Sequence, residues 1–365
     1  MKTFLQLAAV TALAGYAAAQ TFSECDPTKK DCPADPALGT EHEWWFNSTI
    51  DEKLWDMKTG SYDTTDEGAT FSISKEGEST LLESNFYIFF GVVETHVKMA
   101  KGSGVVSSVV LESDDLDEID WEWVGNNVNE VQSNYFGKGN HTTYDRGGNH
   151  AVSNADTEFH NYTTYWDSDR LEWWIDGDLV RTVHYDDPKA VYGKNYPQTP
   201  SRVKFSVWPA GRKGADEWTI KWAGGLVDYD KGPYTMTVQR VRVQDFHSGK
   251  EYSYGDRSGS YKSIKVVDGN STAQAEINKV PPETLAQKWE KLGTGAHVGV
   301  YVGAAAAGVI AIAGFLFFCL RQRRSGRLEH ALDDTRYNEQ RIEAQNFQND
   351  WKQSEWKNGG YRQVS

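Results

Sequence analysis

Asp117-Glu118-Ile119-Asp120-Trp121-Glu122-Trp123-Val124-Gly125 is the stretch on which the fold turns. From Glu118 to Trp123, acidic and apolar residues alternate without a break. Successive side chains of a β-strand point to opposite faces. Glu118, Asp120 and Glu122 therefore share one face, and Ile119, Trp121 and Trp123 share the other. The apolar face suits the core of a layered β-structure, and the acidic face is left for a groove. The plainer reading is a strand with one solvated face. Three carboxylates in a row repel one another, however, and Thr, Lys or Ser would serve that purpose with less strain.

Two glutamates flanking an aspartate match what retaining glycoside chemistry uses. One carboxylate attacks the anomeric carbon, and the other, protonated, assists the departing oxygen. Residues four apart on a straight strand lie ~13 Å apart at Cα, whereas that chemistry wants carboxyl oxygens ~5–5.5 Å apart. The two glutamates must therefore lean together. Like charge and partial burial would then raise one pKa and keep that group protonated near neutral pH. Asp120, between them, is placed to hydrogen-bond the nucleophile.

The surroundings of this stretch read as β-structure. Short apolar or alternating runs recur at 70–74, 86–90, 105–111, 119–124, 171–175, 203–208 and 235–243. Gly, Asn and Asp clusters such as Asp176-Gly177-Asp178 separate them. No helical period of useful length appears between residues 41 and 267. Many short strands with turn signals predict an all-β sandwich or jelly roll. The chain contains 14 Trp, 18 Tyr and 15 Phe. Most of these rings are expected in the core, with a few lining a sugar groove. The net charge of −14 argues against a nucleic-acid partner, which needs a basic surface.

The two ends indicate a secreted, anchored protein. Lys2, an apolar stretch and Ala17-Ala18-Ala19 form a secretory signal pattern over residues 1–19. Of the three cysteines, Cys25 and Cys32 are placed to close a small disulfide loop, while Cys319 lies in an apolar run. That run, residues 298–320, is uncharged and long enough to span a bilayer. Arg321, Arg323, Arg324 and Arg327 follow it and predict a cytoplasmic side. A GPI signal also ends in an apolar tail, but here 45 residues follow Leu320. The expected organisation is a catalytic domain at 20–268, a linker at 269–297, the span at 298–320 and a charged tail at 321–365. The linker, as a coil, reaches only ~25–30 Å. The tail is expected to be helical around residues 328–346 or else disordered. Sequons at Asn47, Asn140, Asn161 and Asn270 all fall on the outer side.

At the carboxylate strand the chain resembles glycoside hydrolase family 16, and within it the fungal Crh cell-wall transglycosylases. Residues 117–125 fit the family's E-x-D-x-E signature. Further matching blocks are Phe90-Gly91-Val92-Val93-Glu94, Gln132-Ser133-Asn134-Tyr135-Phe136-Gly137, Trp173-Trp174-Ile175-Asp176-Gly177, Trp208-Pro209-Ala210-Gly211 and Thr219-Ile220-Lys221-Trp222-Ala223-Gly224-Gly225. The resemblance covers residues 41–268.

It implies a concanavalin-like β-jelly-roll sandwich, with Glu118 as nucleophile, Asp120 assisting and Glu122 as proton donor. It implies that chitin is cut and joined to β-glucan or chitin. Lys204, Trp208, Thr219 and Glu122 are the implied substrate contacts. Tyr135, Tyr165, Trp166 and Trp218 are further groove candidates. No metal or organic cofactor is implied. Many Crh proteins carry a long Ser/Thr-rich spacer and a GPI signal. The short spacer and charged tail here favour residence in the plasma membrane.

Overall fold

The computed structural model describes residues 23–143, 145–279 and 285–358. The expected signal sequence lies outside them. The chain forms two compact units, divided between Lys279 and Val280.

The first unit opens with strands β1 (Asp35–Pro36), β2 (Glu41–Trp45), β3 (Trp55–Thr59), β4 (Tyr62–Thr65), β5 (Gly68–Ile73) and β6 (Thr80–Ser84). There follow β7 (Gly91–Lys98), β8 (Val105–Ser113), β9 (Glu118–Val124), β10 (Glu130–Phe136) and β11 (Gly148–Ala151). Next come β12 (His160–Trp166), β13 (Arg170–Ile175), β14 (Asp178–His184) and β15 (Ser201–Pro209). Helix α1 (Glu217–Trp222), strands β16 (Tyr234–Asp245), β17 (Glu251–Tyr254) and β18 (Ile264–Val267), and helix α2 (Thr272–Ile277) complete it.

Two sheets make the jelly-roll sandwich. One has the order β11-β10-β9-β8-β15-β6-β3, and the other β14-β13-β12-β7-β16-β5-β4 with β2 also paired to β16. Every ladder is antiparallel, which lets one face of each sheet pack and the other meet solvent. Between the sheets lies an aromatic core that includes Phe46, Trp55, Trp121, Trp123, Tyr162, Trp166, Trp173 and Phe205. Trp55 meets Phe86 and Phe46 edge-on, and Tyr162 meets Trp121 and Trp123 the same way. Such edge-to-face pairs add directional preference to area burial.

Residues 86–90, expected as a strand, are not one. Only Tyr87 and Ile88 make isolated bridges, and Phe90 takes a positive φ of 59°. The run connects β6 of one sheet to β7 of the other. Its rings plug the core during the crossing: Phe86 stacks on Trp44, and Phe89 on Phe90. Apolar burial alone did not distinguish a core plug from a core strand. Residues 269–279 belong to this first compact unit. Ser271 caps α2 and donates its hydroxyl to the Leu38 carbonyl, and Ala273 is buried. Cys25 and Cys32 form the expected disulfide.

The second unit holds α3 (Leu285–Glu290) and α4 (Thr294–Asn358). Helix α4 is long and apolar enough to cross a membrane, with mean hydropathy 2.3 in its most apolar window. It contains the expected span at 298–320 and continues without a break through the charged stretch.

Candidate active site

The site is built on β9 and the hairpin that feeds it. The turn joining β8 to β9 is tied from inside. The Asp117 amide donates to Ser113 Oγ at 2.9 Å, and Ser113 Oγ donates to Asp115 at 2.6 Å. Lys138 Nζ reaches Asp117 at 2.6 Å and Asp115 at 3.3 Å. The Gln198 amide and the Thr199 hydroxyl also reach Asp117 Oδ2, both at 2.8 Å. Asp117 and Asp115 are buried, and Lys138 caps them from a half-buried position. The residue immediately before Glu118 is therefore anchored by four groups, which sets where the strand's acidic face begins.

Along β9 the alternation is as the sequence predicts. Ile119, Trp121 and Trp123 enter the core. Glu118, Asp120 and Glu122 face away from the second sheet. Cross-strand register arranges that outer face in rows. Phe136, Glu118, Glu112 and Arg202 form one row, and Asn134, Asp120, Val110, Lys204 and Glu83 the next. Gln132, Glu122, Ser108 and Ser206 form the third, and Val124, Val106 and Trp208 the fourth.

Glu118 is only 7% exposed and Asp120 only 2%, although no sheet covers them. They lie in a recess rather than on an open surface. Glu122 retains partial solvent contact.

This recess separates the acids electrostatically. Asp120 is held well above the usual carboxylate range, by burial first, then by the charges of Glu118 and Glu122, and by a hydrogen bond with Glu118. Burial and then the Glu118 charge push Glu122 up to about 8. Both shifts favour the protonated forms of Asp120 and Glu122 beside Glu118. Such divergence between neighbouring carboxyls is what separates a nucleophile from a proton donor. The Asp120 carbonyl accepts the Trp173 indole N–H at 3.1 Å, which ties the strand's centre to the opposite sheet.

The expected substrate contacts fall into different places. Trp208 is half-buried on the outer face, one row beyond Glu122, with Trp222 beside it at 6.1 Å between ring centroids. Lys204 is 5% exposed, and its ammonium is engaged by Glu112 and, at 3.0 Å, by Glu83. It is part of a buried charge ladder that Arg202 extends to Glu83 at 2.6 Å. Both carboxylates keep the Lys204 pKa above its ordinary value despite burial.

Thr219 belongs to α1, where its amide and hydroxyl donate to the N-cap Asp216 at 3.0 and 3.2 Å. Tyr135 and Trp166 are core residues, and Trp166 donates to the Pro197 carbonyl. Tyr165 donates its hydroxyl to Asp167, on the outer side of the other sheet. Trp218 is 75% exposed on α1.

Three residues not singled out from the sequence belong to the same face. Glu112 is the buried cross-strand neighbour of Glu118; burial raises its pKa, and the Lys204 ammonium paired with it opposes that rise and holds it as a carboxylate. Gln132 is the neighbour of Glu122 and accepts the Trp222 indole N–H at 2.9 Å. Register on adjacent strands brings Glu112 and Gln132 there, and α1 brings Trp222. Among the described residues, no His, Cys, Asp or Glu cluster has the spacing to hold a metal.

A sequence model described as Glycosyl hydrolases family 16 matches residues 50–224. The chain is 58% identical over 347 residues to Crh-like protein 3 of Aspergillus fumigatus, covering 95% of both chains. It is 46% identical to a Crh-like protein of Arthroderma benhamiae, covering 91% of each. Among solved structures, a Crh5 transglycosylase in complex with NAG superposes with a TM-score of 0.64 at 44% identity. That match covers 67% of this chain and all of the other.

Proposed function

Since the chain belongs to glycosyl hydrolase family 16, among its Crh-like members, we propose that it is a retaining cell-wall transglycosylase. The observation that carries this reading is the outer face of β9. There, Glu118, Asp120 and Glu122 share one face, on which burial and their mutual charge raise the pKa values of Asp120 and Glu122.

In this reading Glu118 attacks the anomeric carbon of a bound chitin chain. The bond to the leaving oxygen breaks as Glu122 gives that oxygen its proton. The product is a glycosyl ester on Glu118. Asp120, protonated, donates to Glu118 and steadies its orientation. Glu122, now a carboxylate, takes a proton from an incoming acceptor hydroxyl, which attacks the ester and releases Glu118. A β-glucan or chitin acceptor gives a cross-linked glycan, whereas water gives hydrolysis. Trp208, with Trp222 at its side, offers a flat apolar surface for a pyranose next to the acid. Thr219 keeps acceptor capacity toward a sugar hydroxyl, and Lys204 shapes the groove through its two carboxylates.

Helix α4 supports membrane anchorage. The run of arginines after residue 320 supports an inward-facing tail, with the catalytic unit on the wall side of the plasma membrane.

The test uses the detergent-extracted full chain with chitin oligosaccharides and fluorescent β-glucan oligosaccharides. Labelled products longer than the acceptor are expected, and they should vanish in both Glu118→Gln and Glu122→Gln. Shortened chitin without a labelled hybrid would replace transfer by hydrolysis. Binding without any product would leave a glycan-binding module.

A further inference from the structure

We propose that Trp45 is the docking surface for a carbohydrate chain carried on Asn47, so that the protein packs its own N-glycan against the outside of its eight-stranded sheet. This surface is separate from the acidic recess, and nothing in the catalytic reading bears on it.

Trp45 ends β2 and pairs with Arg240 of β16. It is 51% exposed. The ring is nevertheless held. Its indole N–H donates to Glu43 at 2.8 Å, and the Arg240 guanidinium sits 5.7 Å from its centroid. Arg240 in turn pairs with Glu43 and with His96. The ring is thus locked by its polar edge and by one cation. A rigid aromatic platform loses little freedom when something stacks on it.

What stacks on it is indicated by the next residues. Phe46 turns inward, is 2% exposed and donates its amide to the Gln239 carbonyl. Asn47 follows in the sequon Asn47-Ser48-Thr49 and is exposed. Its side chain makes no hydrogen bond to any described residue. Asn47 lies at the bend that follows β2, two residues from Trp45, and two residues of chain span at most ~6.6 Å, about the reach of one sugar ring from its asparagine.

The other sequons lack this combination. The amide nitrogen of Asn140 already donates to Asn195 at 3.0 Å. Asn161 is half-buried within β12 and accepts the Thr163 hydroxyl. Asn270 is exposed, but Asp268 and Gly269 precede it. Transfer from a polyprenyl-diphosphate oligosaccharide would join Asn47 Nδ2 to the anomeric carbon of N-acetylglucosamine, release the diphosphate carrier and shed one amide proton. The apolar C–H face of that first sugar would then cover the indole.

The experiment uses the full chain from a secreting eukaryotic host, with site occupancy read by mass spectrometry. Asn47 is expected to be modified. Removing the glycan by Asn47→Gln or by Thr49→Ala is expected to lower the melting temperature by about 1–4 °C. Trimming to a single N-acetylglucosamine should leave it unchanged. In a Trp45→Ala background, losing the glycan should have no effect. Hydroxyl-radical footprinting supplies a readout without any Trp45 substitution: Trp45 oxidation should fall at least threefold when Asn47 is glycosylated. An unmodified Asn47 overturns the proposal. So does a melting shift that is equal in both backgrounds, or Trp45 oxidation indifferent to the glycan.

Discussion

Replacing Glu122 by glutamine removes a carboxyl group that the fold holds largely protonated at pH 7. Its pKa rises from 4.5 to about 8, through burial and then through Glu118. A carboxyl with a higher pKa in the folded chain binds more protons when folded than when unfolded. Its effect on stability is therefore neutral at low pH and becomes unfavourable as pH rises from about 4.5, levelling off above about 8. From 4.5 to pH 7, at about 1.36 kcal/mol per unit, the full shift corresponds to about 3 kcal/mol. Glu122 keeps some solvent contact, so screening leaves about 1–3 kcal/mol.

Glutamine does not ionise and escapes this cost. Glu122→Gln should melt with wild type at pH 4.5 and about 2–10 °C above it at pH 7. Its transfer rate should fall by about 10²–10⁴-fold, because the proton donor is gone. Calorimetry across pH 4.5–8.5, beside the labelled-acceptor assay, reads both. A melting difference that stays flat with pH would refute the electrostatic argument. A variant that is less stable than wild type at pH 7 would refute it too.

Asp120→Asn retains an N–H donor where the buried Asp120 offers an O–H. Its transfer rate should stay within about 10-fold of wild type, while Asp120→Ala loses about 10- to 100-fold. Equal losses would show that Asp120 acts as an ionised group. Lys204→Met leaves Glu112 and Glu83 buried without their cation. It should cost about 3–5 kcal/mol in urea unfolding, and adding Glu112→Gln should recover part of that. Trp208→Ala removes a stacking face and should raise KM for chitin oligosaccharides by about 2- to 10-fold with a smaller effect on kcat. A change confined to kcat would move Trp208 from binding to positioning.

The alternation from Glu118 to Trp123 determined, without any coordinates, which side chains of that strand enter the core. A strand has only two faces, so a period of two leaves no other arrangement. The sandwich class followed from recurring short strands, the disulfide from two nearby cysteines, and the apolar helix from an uncharged run longer than a bilayer core. Residues 86–90 were misread because a core plug and a core strand have the same composition. The resemblance implies Lys204 as a sugar contact. Its position on the strand is visible in sequence, but Glu112 and Glu83, which occupy its ammonium, come from two other strands. Gln132 beside Glu122 and Trp222 beside Trp208 are likewise matters of register and of where one short helix lands. Local period and length act over a few residues and can be read directly. Partner choice and pKa depend on which distant segments the sandwich brings within a few ångströms, and only the closed tertiary structure decides that.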